Sequence, residues 1–429
     1  MSATTAILDF AAAAHVLPDA VRADASRLLS DTLAVGAAGA ASPEAQALMS
    51  VVQAWGQSGE ARSFSDHALP AASAAFSNGF AIHCLEWDAV HEKAVVHALS
   101  VVSAALLAAS DRRVGSDPDA FLTALIVGVD VASGLGIAAT GPMRFFRPAT
   151  AGVIGAALAV ARLEGLSRAQ MADVLGLAYS CAGGTMQAHV EASIALPLQI
   201  GRAAQAAVQA VDLVKAGMGG PHDVIEGPFG YSALIEPLDL TEYVEGLGTI
   251  WRISEVSIKP FPSGRASHAV LGTLADIRSS GRTIERITAH VPPLIMRLVG
   301  RAYDADMTPA YARLCLPLLC ALMLRDGRID PRRFTEETFA DPVIIELAQK
   351  VTVTLDDNTD GNALSPQRVE ILYADKTSES IDVAHTLGSP QAPLSPEQAN
   401  AKYELCRALA PNCDPRIFDD PIAYATEPR

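Results

Sequence analysis

Aromatic residues make up only 5% of this 429-residue chain and charged residues only 19%, while 50% of it is hydrophobic. The apolar share therefore comes from aliphatic side chains, chiefly Ala and Leu. Ala loses no side-chain entropy in a helix and lets neighbouring helices approach, so the shortage of aromatics points to closely packed helices. Positive charge is also scarce: 32 Lys and Arg against 48 Asp and Glu give a net charge of −16. Nucleic-acid binding needs a basic face to displace counterions, and this balance argues against it. A small anionic substrate is still compatible, because a local Arg or Lys pocket overrides the global field. The six cysteines (Cys84, Cys181, Cys315, Cys320, Cys406 and Cys413) form no C-x-x-C pair and no zinc spacing. They read as reduced, mostly buried thiols in a cytoplasmic protein. No GxGxxG follows a strand, and neither a Walker-type loop nor an H-E-x-x-H occurs, so neither nucleotide binding nor zinc hydrolysis is supported. No charged segment with an apolar core opens the chain, and every long apolar run is broken by a charge, Gly or Pro. The expectation is a soluble protein with no membrane partner.

The length suits two domains, or one helical domain with an insertion. Apolar residues recur at helical spacing through most of the first 245 residues. Pro18 stops the first helix, Asp19 opens the next, and Pro43 begins a third that runs to about Trp55. A loop or short strand is expected near residues 61–64. Apolar helices follow over 100–113 and 119–139, the second carrying Asp130 in a structural role. From about residue 250 the pattern turns to period-2 alternation rich in Val, Ile and Thr, as in WRISEVSIKPF, RITAHV, KVTVTLDD and QRVEILYADKTSESIDVAH. These predict half-exposed strands, the last a hairpin turning near Asp375-Lys376. Helices are interleaved over residues 267–281 and 314–327, and a helix after Ser395 rejoins the first domain. The predicted fold is mainly α: a helical domain of residues 1–245 completed by 395–429, with a smaller α+β lid of residues 246–394 inserted before the C-terminal helix.

Chemistry collects in two stretches. NGFAIHCLEWDAVHEKAVVH, residues 78–97, places His83, Glu86, Asp88, His91, Glu92 and His97 in an apolar, Ala-rich setting. On a continuing helix His83 and Trp87, and Asp88 and His91, are neighbours on one face. Buried acids and imidazoles are costly unless paired, so they signal function or a solvated helix end. KPFPSGRASH, residues 259–268, joins Lys259, Arg265 and His268 in a loop stiffened by two prolines, with Ser267 as a cap for the following helix. Arg144 and Arg147 precede Pro148 at a helix start, where a guanidinium fork beside backbone N–H groups suits a carboxylate. The same residues also fit a pair of surface arginines. Gly152 and Gly155 mark a face for close packing.

The order NGFAIHCLEWD…H, a GLS-initiated helix, KPFPSGRASH and YARLCLPLLCALMLRDG resembles the MmgE/PrpD family over most of the chain. Asp31 in LLSDTLAVGAAG and the GPHDVIEGPFG segment belong to the same likeness. The resemblance implies a helical domain with an α+β lid, a homodimer, and a site between the domains that works without cofactor or metal. It implies the chemistry of 2-methylcitrate dehydratases, cis-aconitate decarboxylases and iminodisuccinate epimerases, which share proton removal beside a carboxylate or imine. By position, Asp88, His97, Lys259 and His268 match residues of the family's motifs. Ala89, Glu86, Arg147, Leu196 and Gly264 depart from them.

The resulting expectation is a lyase or isomerase acting on a small di- or tricarboxylic acid. His97 and Lys259 exchange the proton, and Asp88 orients a histidine or the substrate. Arg147, Arg265 and Arg313 hold carboxylates, with His268, Glu86 and His91 as further substrate contacts. The alternative is a carboxylate-binding protein of the same fold without catalysis.

Overall fold

The computed structural model describes residues 2–56, 58–278 and 281–428. The fold is mainly helical. Long helices Asp19–Ala40, Ala71–His83, Ala98–Arg112, Pro118–Ile137, Arg147–Leu163 and Ala195–Lys215 pack on one another to form the main core. Their starts are set by local chemistry: Ser42 and Asp117 accept from the N–H groups of Ala45 and Ala120, each with Pro just inside the helix. Ser167 and Gln170 cap each other reciprocally at the start of Arg168–Ser180. The small residues act as expected from the sequence. A Cβ on Gly155 would sit 2.2 Å from the Gly128 carbonyl oxygen, so these two helices touch backbone to backbone. Pro118–Ile137 is long and apolar enough to cross a membrane, yet most of it is buried inside the protein. Its Asp130 accepts from the Arg252 N–H at 3.0 Å, a structural tie.

Strands β1 (Ala61–Arg62) and β2 (Ala68–Leu69) form a small hairpin. The remaining strands are β3 (Ile284–Val291), β4 (Val351–Leu355), β5 (Gln367–Tyr373) and β6 (Ser378–Val383). They build a four-stranded sheet in the order β4-β3-β5-β6, parallel at β3–β4 and antiparallel elsewhere. Alternation holds: Ile287, Ala289, Val291, Val369 and Ile371 point inward to a second core with Leu271, Leu274 and Leu319. The expected helix over 267–281 appears as His268–Arg278, and its final Ser279 and Ser280 lie outside the described residues. Helix Pro396–Leu409 packs against Asp19–Ala40, where Lys402 Nζ meets Asp31 Oδ1 at 2.6 Å in a buried pair.

Two expectations fail. WRISEVSIKPF is no strand: Arg252–Glu255 is a 3₁₀ turn, followed by a single antiparallel bridge between Val90 and Ser257. Its alternation comes from a buried crossing between the two cores, where Arg252 and Lys259 are neutralised by carboxylates rather than exposed to water. The helix through the first motif also stops early, at His83. Glu86 adopts φ +54 and Val95 φ +53, conformations that L side chains rarely take, so residues 84–97 form a compact loop.

Candidate active site

The loop that follows Ala71–His83 folds its carboxylates inward. Asp88 is fully buried, with Oδ2 2.9 Å from His83 Nδ1 and 3.0 Å from His97 Nδ1, and Ser100 donates its hydroxyl to the same oxygen. The His97 contact lies off the line of a good hydrogen bond. Lys259 arrives from the other side of the domain junction. Its ammonium donates to the Glu86 carbonyl at 2.9 Å and lies 3.4 Å from Glu86 Oε2 and 3.8 Å from Asp88 Oδ1. Holding Glu86 in its left-handed conformation thus serves a purpose, because it turns both its carbonyl and its carboxylate toward one lysine.

Burial alone would raise the Asp88 carboxyl, but the charges of His83, His97 and Lys259 hold it well below the usual carboxylate range. Burial likewise opposes ionisation of Glu86, and His83, Lys259 and His97 outweigh it, lowering its pKa. The two histidines diverge. Burial pulls His83 down, yet Asp88 and Glu86 together raise it above its ordinary value. His97 is lowered by burial and by Lys259, which prevail over Asp88. Asp88 thus favours the proton on His83 over His97, the kind of divergence that separates an acid from a base.

A small cavity of about 60 Å³ opens beside this cluster, between the helical part and the α+β part. His83, Glu86, His97, His189 and Arg265 face it, and the rest of its wall is largely apolar, including Met143, Phe146, Met186 and Leu196. His97 and Glu86 each keep 12% of their side chains exposed there. His189 is pushed down to about 4 by burial and by Arg301. His83, Asp88 and His97 also have a spacing that would hold a metal ion. Lys259 already supplies a cation beside Asp88, which leaves little call for a second one.

The expected residues are dispersed more widely than the sequence suggested. Glu86, His97 and Arg265 line the cavity. Asp88, Lys259 and His268 lie fully buried behind it. His268 contacts Ser263 Oγ at 3.1 Å, and Ser267 turns its hydroxyl to the Gly264 carbonyl instead of capping the helix. Three readings need correction. Arg147 is no open carboxylate clamp, because Glu236 already grips its guanidinium at 2.5 and 2.8 Å. His91 pairs with Glu255 at 2.9 Å and, with Arg147, lines a different cavity of about 590 Å³. Arg313 lies over Phe334, 3.6 Å from Glu44, and lines not this cavity but a small adjoining pocket with His83, Glu86 and His189, its buried Nε without a hydrogen-bond partner. Arg265 faces the cavity, yet it is bound to Glu92 at 2.7 Å and to the Thr386 and Leu387 carbonyls. Sequence reasoning placed His83 in the first motif, five residues before Asp88, but gave it no role in the chemistry. It missed His189, for which no sequence pattern gave a signal.

The MmgE/PrpD N-terminal domain model matches residues 6–241 and the C-terminal domain model residues 261–414. A mouse cis-aconitate decarboxylase is 28% identical over 367 residues, covering 80% of this chain and 74% of that protein. The human cis-aconitate decarboxylase is 28% identical over 361 residues, covering 78% and 72%. One from Aspergillus terreus (strain NIH 2624 / FGSC A1156) is 25% identical over 429 residues, covering 90% and 85%. With both domain models matched in order, and Lys259 carried from the junction between them into the His83–Asp88–His97 cluster, the chain belongs to the MmgE/PrpD family.

Proposed function

We propose that this chain is a cofactor-independent lyase of the dehydratase or decarboxylase type, acting on a small carboxylic acid by moving a proton at the carbon beside a carboxylate. The observation that carries the reading is the pair of histidines with opposite protonation preferences on Asp88, open to a cavity between the two domains. The similar cis-aconitate decarboxylases support the lyase class.

His97 turns Nδ1 toward Asp88, which leaves Nε2 for the substrate. As a neutral imidazole it accepts the proton from the carbon, and the bonding pair moves into the neighbouring carboxylate as an enediolate. The His83 imidazolium, whose buried Nε2 has no hydrogen-bond partner within the protein, stabilises that developing charge. Where a hydroxyl stands on the next carbon, its bond to that carbon breaks, the His97 proton passes to it, and water leaves. For decarboxylation the carbon–carboxylate bond breaks, CO₂ departs, and the bonding pair left on carbon takes a proton from the His83 imidazolium, the protonated member of the pair. Lys259 and Asp88 hold the histidines and Glu86 in place without touching the substrate.

The test is a proton NMR time course in D₂O with methylcitrate, citrate, cis-aconitate, tartrate and iminodisuccinate. Loss of a signal beside a carboxylate, or a new product, supports the reading, and the product identifies the branch. Silence across the panel, with thermal stabilisation by one compound, favours a binding protein instead.

A further inference from the structure

Resting on that reading of the site, we infer that Arg313 seats the substrate carboxylate remote from the reacting carbon, in the small pocket that continues the cavity past His83. The two spaces share His83, Glu86, His189, Leu196 and Leu314 in their walls, so a ligand in one extends into the other. The pocket is about 20 Å³ in volume. A single water needs roughly 10–15 Å³, so the space takes one compact polar group and no longer chain. Arg313 is the arginine in its wall, and its guanidinium is buried with Nε lacking any hydrogen-bond partner. A buried charged donor left empty is costly, and the group that satisfies it best is a carboxylate.

The three arginines expected to clamp carboxylates differ in what the fold leaves them. Glu236 grips Arg147 at two nitrogens, and Arg265 donates from every nitrogen to Glu92, Thr386 O and Leu387 O. Arg313 meets its nearest carboxylate, Glu44, at 3.6 Å, beyond hydrogen-bond reach, and leans on the Phe334 ring. Glu44 lines a separate outer cleft of about 420 Å³ and not the inner pocket, whereas Arg313 lines both. The guanidinium thus stands between Glu44 and the space left for a ligand. The surrounding field has the same sign. Arg301, bound through Nη2 to the His189 carbonyl, forms no ion pair among the described residues and keeps a buried Nη1 without a partner. Arg301 and Arg297 both disfavour a proton on His189. This end of the site therefore carries positive charge that no protein carboxylate cancels, in a chain whose net charge is −16. A second carboxylate finds its partner there, whereas Met143, Phe146 and Met186 offer it nothing. The substrate accordingly lies with its reacting carbon by His97 and its far carboxylate on Arg313.

The experiment sets malate, citrate and cis-aconitate against 3-hydroxybutyrate, which matches malate but carries a methyl in place of its second carboxylate. The full-length protein is read by the shift in Tm at equal ligand concentration, and by exchange or turnover in proton NMR spectra in D₂O. At least one polycarboxylate is expected to shift Tm more than 3-hydroxybutyrate does. Arg313→Gln is expected to erase that difference and to raise KM for the polycarboxylate by roughly 10–100-fold, the worth of one charge-assisted hydrogen bond, with kcat little changed. 3-Hydroxybutyrate, with nothing to offer Arg313, is expected to lose far less. Arg313→Lys, which keeps the charge but not the fork, is expected to fall between. Equal losses for both kinds of compound mark a structural role and overturn the inference. So does a polycarboxylate preference that survives Arg313→Gln, or the absence of that preference in the wild type. Tm shifts that follow the expected pattern, with no exchange or product from any compound, overturn the lyase reading and leave the seat standing. Where Arg313→Gln fails to fold, Glu44→Gln decides the matter. Removing the rival carboxylate is expected to tighten polycarboxylate binding severalfold, and unchanged or weaker binding overturns the inference.

Discussion

His83 and His97 stand edge to face, with ring centroids 4.8 Å apart and planes at 73°, and each directs Nδ1 at Asp88 Oδ2. Two imidazoles this close cannot titrate independently, and their behaviour belongs to the pair together with its carboxylate.

Replacing His97 by Ala is expected to abolish exchange of the substrate's proton with solvent deuterium and to lower turnover by about 10²–10⁴-fold. The readout is NMR exchange on whichever compound the wild type turns over. Unchanged exchange removes His97 from the mechanism.

The pH profile of kcat/KM is expected to be bell-shaped. The base is neutral His97, whose pKa is lowered, so activity falls only when the pH drops below the ordinary histidine value of 6.5. The stabilising cation is His83, whose pKa is raised, so activity falls when the pH climbs above 6.5 and its proton is lost. A plateau with no alkaline limb sinks the role assigned to His83.

Asp88→Asn is expected to lower the alkaline limb, because the carboxylate is what raises His83 against burial. It also leaves Lys259 and His83 short of a counter-charge, and breaking a buried pair costs about 3–5 kcal/mol. The sign with pH is fixed: a carboxyl with a lowered folded pKa adds stability above its ordinary value of 3.8 and loses it as pH falls through the folded value. Urea midpoints from pH 5 down to 2 are expected to show the smaller acid dependence in the variant.

Gly155→Ala places a methyl 2.2 Å from the Gly128 carbonyl oxygen, so the helices must separate. A loss of about 1–3 kcal/mol is expected from the urea midpoint, with kcat unchanged, because the contact lies in the helical core. An unchanged midpoint contradicts the backbone-to-backbone packing of these helices.

Much was legible in the chain itself. The Ala-rich composition and helical spacing determined a mainly α fold, because small side chains at the period of 3.6 can bury themselves only against other helices. The alternating runs determined β3 to β6, since one face of each strand had to meet a core. The two motifs pointed to the loop after His83 and to Lys259, because buried charge needs partners wherever it lies. Pairing itself was decided only by the tertiary structure. Glu236, Glu92 and Glu44 reach Arg147, Arg265 and Arg313 across 89, 173 and 269 residues of chain. They turn two expected substrate clamps into internal ion pairs and leave the third, Arg313, with an unpartnered Nε. The same long-range folding sank Lys259 beneath Glu86 and brought His83 and His189 to the cavity. A local pattern records which residues are charged, but which charge is left for a ligand depends on every neighbour that the fold brings within reach.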